Sequence, residues 1–367
     1  MRKIIASTAA IATGVVLSSM SMAAASAAAS APTAAATIVI GPGQSIQRAV
    51  NHARPGDTIA LKPGVYHQSV LIRTDGITLR GSGESSAGTV LEPPKTVPGN
   101  LCNAAFGPAG ICVLARDVTS QGVVIKQVRN DTVTGLAVTG FAGNGVFGYG
   151  TSGLTVTWVA AVNDGGYGIS RFNSTRTLFA HDIAAGNTEA GFYVGDSPDA
   201  DTVVRDNVAT GNQSGIFVRH AREVRVSGNR LTGNCQGIFV LDDGQPGGAG
   251  NVTITGNKVA GNNKLCPAGG DTPVAFQGGG ILLLGATHTT VSGNRVAGNA
   301  GQQLNSGGIV VVSAQGLTHG SNPDFDTISG NRAHRDQPAD LLWDGSGTGV
   351  QFAGNHCGTS IPGGLCP

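Results

Sequence analysis

The sequence predicts an all-β chain wound as a right-handed parallel β-helix, a solenoid with a short N-terminal capping helix. Two observations lead there. A phrase returns as Gly191-Phe192-Tyr193-Val194, Gly215-Ile216-Phe217-Val218 and Gly237-Ile238-Phe239-Val240, each preceded by a polar turn ending in Asn187, Asn212 or Asn234. Beyond these copies, Gly145, Gly168, Gly191, Gly215 and Gly237 open apolar strands at intervals of 22 to 24 residues, and Gly280 and Gly308 continue the series after longer gaps. A unit of that length cannot bury its apolar face alone, so successive units stack. The 58 glycines lack the every-third placement of a collagen and fit tight turns between short strands.

The chain opens with basic Met1-Arg2-Lys3, an apolar run from Ile4 to Met22, and an Ala25-Ser26-Ala27 cleavage site. Residues 1–27 are expected to be a signal peptide and 28–37 a flexible lead-in. The mature chain is then expected to be secreted, extracellular and monomeric, with no membrane association after signal cleavage. A net charge of +1, with 12% charged residues, leaves no electrostatic footprint for nucleic acid.

Residues 38–367 are expected to form one β-helix domain. Its cap and first coil span 38–83, its regular coils 122–312, and its C-terminal coils and lid 313–367. In the cap, Ile38-Val39-Ile40 reads as a strand. Ile46, Ala49, Val50 and Ala53 then fall at helical spacing, stopped by Arg54-Pro55-Gly56-Asp57. Lys62-Pro63-Gly64-Val65-Tyr66 reads as a turn between further strands. Six cysteines in an exported chain point to disulfides, and the three local pairs are Cys102–Cys112, Cys235–Cys266 and Cys357–Cys366.

The cap motifs, from Ser45-Ile46-Gln47 through Pro55-Gly56-Asp57-Thr58-Ile59, Pro63-Gly64-Val65-Tyr66 and Ile77-Thr78-Leu79-Arg80-Gly81, resemble the opening of the pectin-lyase-like superfamily. The later Gly-Ile-x-Val and Ser-Gly-Asn phrases are similar to its parallel β-helix repeats. That resemblance implies the fold for nearly all of the mature chain. It leaves open polysaccharide lyase, glycoside hydrolase, uronan epimerase and non-catalytic accessory roles. The Asn-Thr-Asp and Gly-His-Gly signatures of the polygalacturonases and the Asp-Pro-His-(Asp/Glu) of the mannuronan epimerases are missing. The accessory proteins for metal-cluster assembly are disfavoured by the lack of Met/His-rich tracts.

Two series of asparagines, Asn229, Asn257, Asn294 and Asn331 after Ser/Thr-Gly, and Asn187, Asn212, Asn234, Asn262 and Asn299, read as stacked turn residues. Chemistry is sought on the outward face of the strands instead. Alternation places Phe147, Ser170, Tyr193, Phe217 and Phe239 in one outward column, with Tyr149, Phe172, Gly195, Arg219 and Leu241 two places on. Exposed aromatics would stack on sugar rings, so Phe147, Tyr149, Arg171, Phe172, Asn173, Tyr193, Phe217 and Phe239 are the candidate substrate-binding residues.

Five positions after the coil glycines stand Asn173, Asp196, His220 and Asp242. An imidazole between carboxylates is a proton-transfer device, so His220, Arg219, Asp196, Asp242 and Asp243 are the catalytic candidates. The leading expectation is a polysaccharide lyase or uronan epimerase on an acidic polysaccharide. There, an Arg or a cation would neutralise the uronate, and His220, Arg219 or Tyr193 would take the C5 proton. The alternatives are an inverting glycoside hydrolase with Asp196 and Asp242/Asp243 as acid and base, and a non-catalytic glycan- or protein-binding β-helix. The sequence specifies no cofactor. Ca2+ is a minor alternative at Asp196, Asp199 and Asp201, short of the six or more oxygens such a site takes.

Overall fold

A computed structural model describes residues 34–268, 274–303 and 305–366. The signal peptide and most of the lead-in expected from the sequence lie outside these residues. Among the described residues no helix is long and apolar enough to cross a membrane.

Each coil contributes three strands, and each pairs in parallel with its counterpart one coil on. One sheet stacks Val146–Tyr149, Ile169–Phe172, Ala190–Ser197, Ser214–Arg219 and Gln236–Leu241. A second run stacks Leu178–Ala180, Thr202–Arg205 and Val224–Ser227, and a third Ile183–Ala185, Val208–Thr210 and Arg230–Thr232. Inward residues such as Ile216, Val218, Val226 and Leu231 are fully buried in one continuous core. Parallel pairing of strands far apart in sequence becomes possible because each coil brings its successor into register.

At the N-terminus the strand Thr37–Ile40 pairs with Thr58–Leu61. Between them, helix Ile46–His52 lays Ile46, Ala49 and Val50 on the open end of the core, and the Ser45 hydroxyl caps it by accepting from the Arg48 N–H. One local reading is corrected: Gly64–His67 is a strand, paired with Thr89–Glu92, because Tyr66 is buried and donates its hydroxyl proton to the Lys62 and Ile40 carbonyls. The disulfides are Cys102–Cys112, Cys235–Cys266 and Cys357–Cys366.

Two of the three corners are held by amide ladders. Asn187, Asn212, Asn234, Asn262 and Asn299 follow one another, each N–H and Nδ2 donating to the next Oδ1 at 2.9–3.2 Å. The second ladder runs Asn207, Asn229, Asn257, Asn294, Asn331, Asn355. Aspartates extend both ladders: Asp164 precedes Asn187, Asp182 precedes Asn207, and Asp336 follows Asn299. Such ladders satisfy corner backbone that burial would otherwise leave unpaired.

Candidate functional site

The third corner carries no uniform ladder. Between the first and second strands of a coil stand Asn173, Asp196 and His220, each in the left-handed region at φ 48°, 55° and 48°. Register stacks them on successive coils. The 14-residue strand Ser214–Ser227 turns this corner at His220 and belongs to both sheets. The bend aims the side chains sideways along the corner instead of straight out from the sheet.

His220 is buried and held between two acids. Its Nδ1 lies 3.0 Å from Asp196 Oδ1, and its Nε2 faces Asp243 Oδ1. A carboxylate only accepts, so in the Nδ1–Asp196 hydrogen bond the ring nitrogen is the donor. Asp243 also receives Arg219 through Nε at 2.9 Å and Nη2 at 2.6 Å. Burial would lower the Arg219 pKa, but the hydrogen bond and charge of Asp243 hold it above its ordinary value. The Arg219 side chain is still 30% exposed and that of Asp196 38%, whereas that of His220 is 9%.

Tyr193 completes the group. Its phenol accepts a hydrogen bond from Arg219, and burial pushes its pKa upwards. The ring lies over Gly195, where any added Cβ would fall 2.3 Å from the tyrosine atoms, so the glycine makes room for it. Tyr167 stacks on Tyr193 at 4.4 Å between centroids and is hydrogen-bonded to Glu189, with its pKa raised mainly by burial. Arg219 stands where two depressions meet. One, of about 580 Å³, is lined by Phe106, Phe172, Asn173, Tyr193 and Asp196. The other, of about 680 Å³, is lined by Tyr167, Phe217, Phe239, Leu265 and Leu317.

Several expected positions differ. Asp242 follows His220 in register, but its carboxylate turns away and accepts the Gly244 N–H at 3.0 Å, an Asx turn that starts the 242–250 insert. Asp243, one residue later, occupies the place expected of Asp242. Arg171 is not a surface residue. It is fully buried and its guanidinium donates to Thr202 Oγ1, Ser197 Oγ and the Gly195 and Ala200 carbonyls, with burial lowering its pKa to about 9.

The aromatic column faces away from the helical core but is covered. Phe147 and Tyr149 lie beneath Phe106 and Val124, and Phe239 beneath Phe276 and Cys266. Tyr193 is 1% exposed, and only Phe172 and Phe217 remain partly open. Segments outside the repeat supply the covers, which the repeat pattern could not foresee. Asn173 is exposed and donates to the Tyr149 hydroxyl. Tyr167 and Glu189 were missed by the sequence reading, although the column immediately before the coil glycines, which includes Tyr167, would have revealed the first. The calcium candidates diverge: Asp196 turns to His220 and Asp201 to Arg225, and no cluster of metal-binding type occurs among the described residues.

The family model for the right handed beta helix region matches residues 113–246. No curated protein matches the chain in sequence. Among solved structures the chain is similar to an alginate lyase from a Paenibacillus species, at 17% identity and TM-score 0.50, covering 89% of this chain and 99% of that one. It is similar to the A-module of a mannuronan C-5 epimerase of Azotobacter vinelandii, at 17% identity and TM-score 0.52, covering 86% and 92%. It is also similar to a family 28 exopolygalacturonase of Yersinia enterocolitica, at 10% identity and TM-score 0.55, covering 88% and 78%. The fold is a right-handed parallel β-helix. At these identities the likeness speaks to architecture, and function belongs to the site.

Proposed function

We propose that the protein is a carbohydrate-active enzyme that removes the C5 proton of a uronate in an acidic polysaccharide, as a lyase or a C5 epimerase. The observation that carries this reading is the part-exposed Arg219 guanidinium, fixed by Asp243 and touching the Tyr193 phenol in an open groove. A uronate carboxylate docked on Arg219 takes up negative charge as C5 ionises, and the guanidinium stabilises the enediolate that forms.

The roles differ from those suggested by the residue types alone. His220 has both nitrogens engaged and acts as a strut that orients Asp196 and Asp243. Asp196, the more exposed acid, accepts the C5 proton. The electron pair forms the C4–C5 double bond as the C4–O bond breaks. Tyr193, which retains its proton because burial raises its pKa, delivers that proton to the departing oxygen. In the epimerase variant Tyr193 returns a proton to the other face of C5, with no bond to C4 broken. The named neighbours, an alginate lyase and a mannuronan epimerase, support the substrate class.

The hydrolase alternative is weaker here. Its second carboxylate would be Asp242 or Asp243, and one caps a turn while the other is bound by Arg219 and His220. The test is incubation of the mature protein with a panel of uronans. Ultraviolet absorbance from unsaturated ends identifies a lyase, and an altered C5 configuration without absorbance an epimerase. New reducing ends with neither would overturn the proposal.

A further inference from the structure

A second feature lies on the other sheet, away from the groove. At the corner of the second Asn ladder one residue per coil takes the left-handed conformation. Register aligns Gly135, Trp158, His181, Asp206, Gly228, Gly256, Gly293, Gly330 and Gly354 in a single column. All nine have φ between 56° and 67°. Glycine adopts this conformation freely, and Asp and His are tolerated, but a tryptophan there is an outlier.

Trp158 is also 53% exposed. One exposed apolar side chain needs no explanation. A strained one with an organised backing does, since strain kept at a surface position points to use. The indole stacks on the His181 ring, with centroids 4.8 Å apart and planes 15° from parallel. Behind His181, Arg205 Nη1 lies 3.4 Å from its Nε2 and 2.8 Å from Asp206 Oδ2. The residue opposite Trp158 on the preceding coil is Gly135, which has no side chain to cover the second ring face.

We propose that Trp158, backed by His181, is a glycan-binding platform separate from the groove, and that it takes the C–H face of a neutral, β-linked pyranose. The electron-rich indole face attracts the polarised C–H bonds of a sugar ring. Arg205 and Asp206, both part-exposed, provide a donor and an acceptor for the hydroxyls around that ring. Their charges offset one another, so the surface has no cation reserved for a uronate. One flat ring edged by polar groups is too small for a protein interface and fits a single sugar face. A platform of this kind would hold the enzyme on a neutral matrix surrounding its substrate, but the binding itself does not depend on the groove's activity.

The column supplies its own control. Glycine is the residue at six of its nine places, so Trp158→Gly removes the indole and relieves the backbone together. Native gel retardation by hydroxyethylcellulose, a soluble neutral β-glucan, is the readout. The wild-type chain is expected to be retarded. Trp158→Gly is expected to lose at least tenfold in affinity while its thermal midpoint stays equal or rises, and Arg219→Ala is expected to bind the glucan as the wild type does. Any of these results would overturn the proposal: no retardation of the wild type, equal retardation of Trp158→Gly, or a Trp158→Gly chain that unfolds well below the wild type. The last would make the ring a structural prop. Loss of retardation in Arg219→Ala would place the glucan in the groove and equally refute a separate site.

Discussion

Asp164 offers a prediction that can be worked through from geometry. It stands in the first Asn ladder one coil before Asn187, where it accepts the Phe141 N–H at 2.9 Å through Oδ1 and donates its own N–H to Asn187 Oδ1. Its Oδ2 is buried and has no hydrogen-bond partner. In the next coil Asn187 places Nδ2 at the equivalent point and donates to the Ala161 carbonyl and Asn212 Oδ1. A protonated Asp164 imitates that amide, whereas an ionised one sets a charge in an apolar corner. Burial accordingly pushes its pKa up to about 8, against the hydrogen bonds from Phe141 and Gly140.

The folded value is raised above the unfolded value of about 3.9, so the associated stability is fully present below the latter and is lost as pH rises through about 8. Between pH 5 and pH 8 this single group removes on the order of 3 kcal/mol. Asp164→Asn abolishes the titration and supplies a permanent donor. Urea unfolding at pH 5, 7 and 8 is expected to show a wild-type decline that is shallower in Asp164→Asn by roughly that amount. Some slope remains in the variant, because Asp131 and Asp182 are shifted upwards for the same reason. Parallel pH profiles for the two proteins would refute the account of a protonated ladder.

Other predictions follow from the same contacts. Arg171→Met strands the hydroxyls and carbonyls of the 195–202 turn and should cost about 3–5 kcal/mol; denaturation curves with Arg171→Lys as the milder comparison test this. Asn234→Ala removes amide bonds to Ala209 and Asn262 and should cost roughly 2–3 kcal/mol by the same measurement. Replacing Cys235 and Cys266 by serine opens a loop with a sequence separation of 31 residues and should lower stability by about 3 kcal/mol, seen as a lower thermal midpoint. Arg219→Ala should reduce kcat/KM on a uronan by about a hundredfold or more with little change in urea midpoint.

The solenoid was legible because its causes are periodic. Every coil needs a close glycine, inward Ile/Val and a corner amide, so Gly215, Ile216, Val218 and Asn212 announce themselves by spacing. Register followed from the same count, which is why Asp196 and His220 are neighbours across coils. What escaped is aperiodic. The covers over Phe147 and Phe239 come from segments outside the repeat, and no alternation rule places them. Arg171 has the parity of a core residue, matching Val194 on the next coil, but its charge suggested a surface role. The shift from Asp242 to Asp243 depends on Gly244, whose N–H captures the first carboxylate. Trp158 was passed over because a left-handed backbone is invisible in a sequence until its column of glycines is aligned.

The central claim is that Arg219, Asp196 and Tyr193 make the C5 proton of a uronate labile. The most direct measurement is incubation of the mature protein with uronans in heavy water, followed by analysis of the sugars by nuclear magnetic resonance. An epimerase is expected to leave deuterium at C5 of the polymer, and a lyase to yield unsaturated ends with loss of the C5 proton. Either change should be abolished in Arg219→Ala and greatly slowed in Tyr193→Phe. Uronans recovered with their C5 protons intact and their chains unbroken would contradict the assignment.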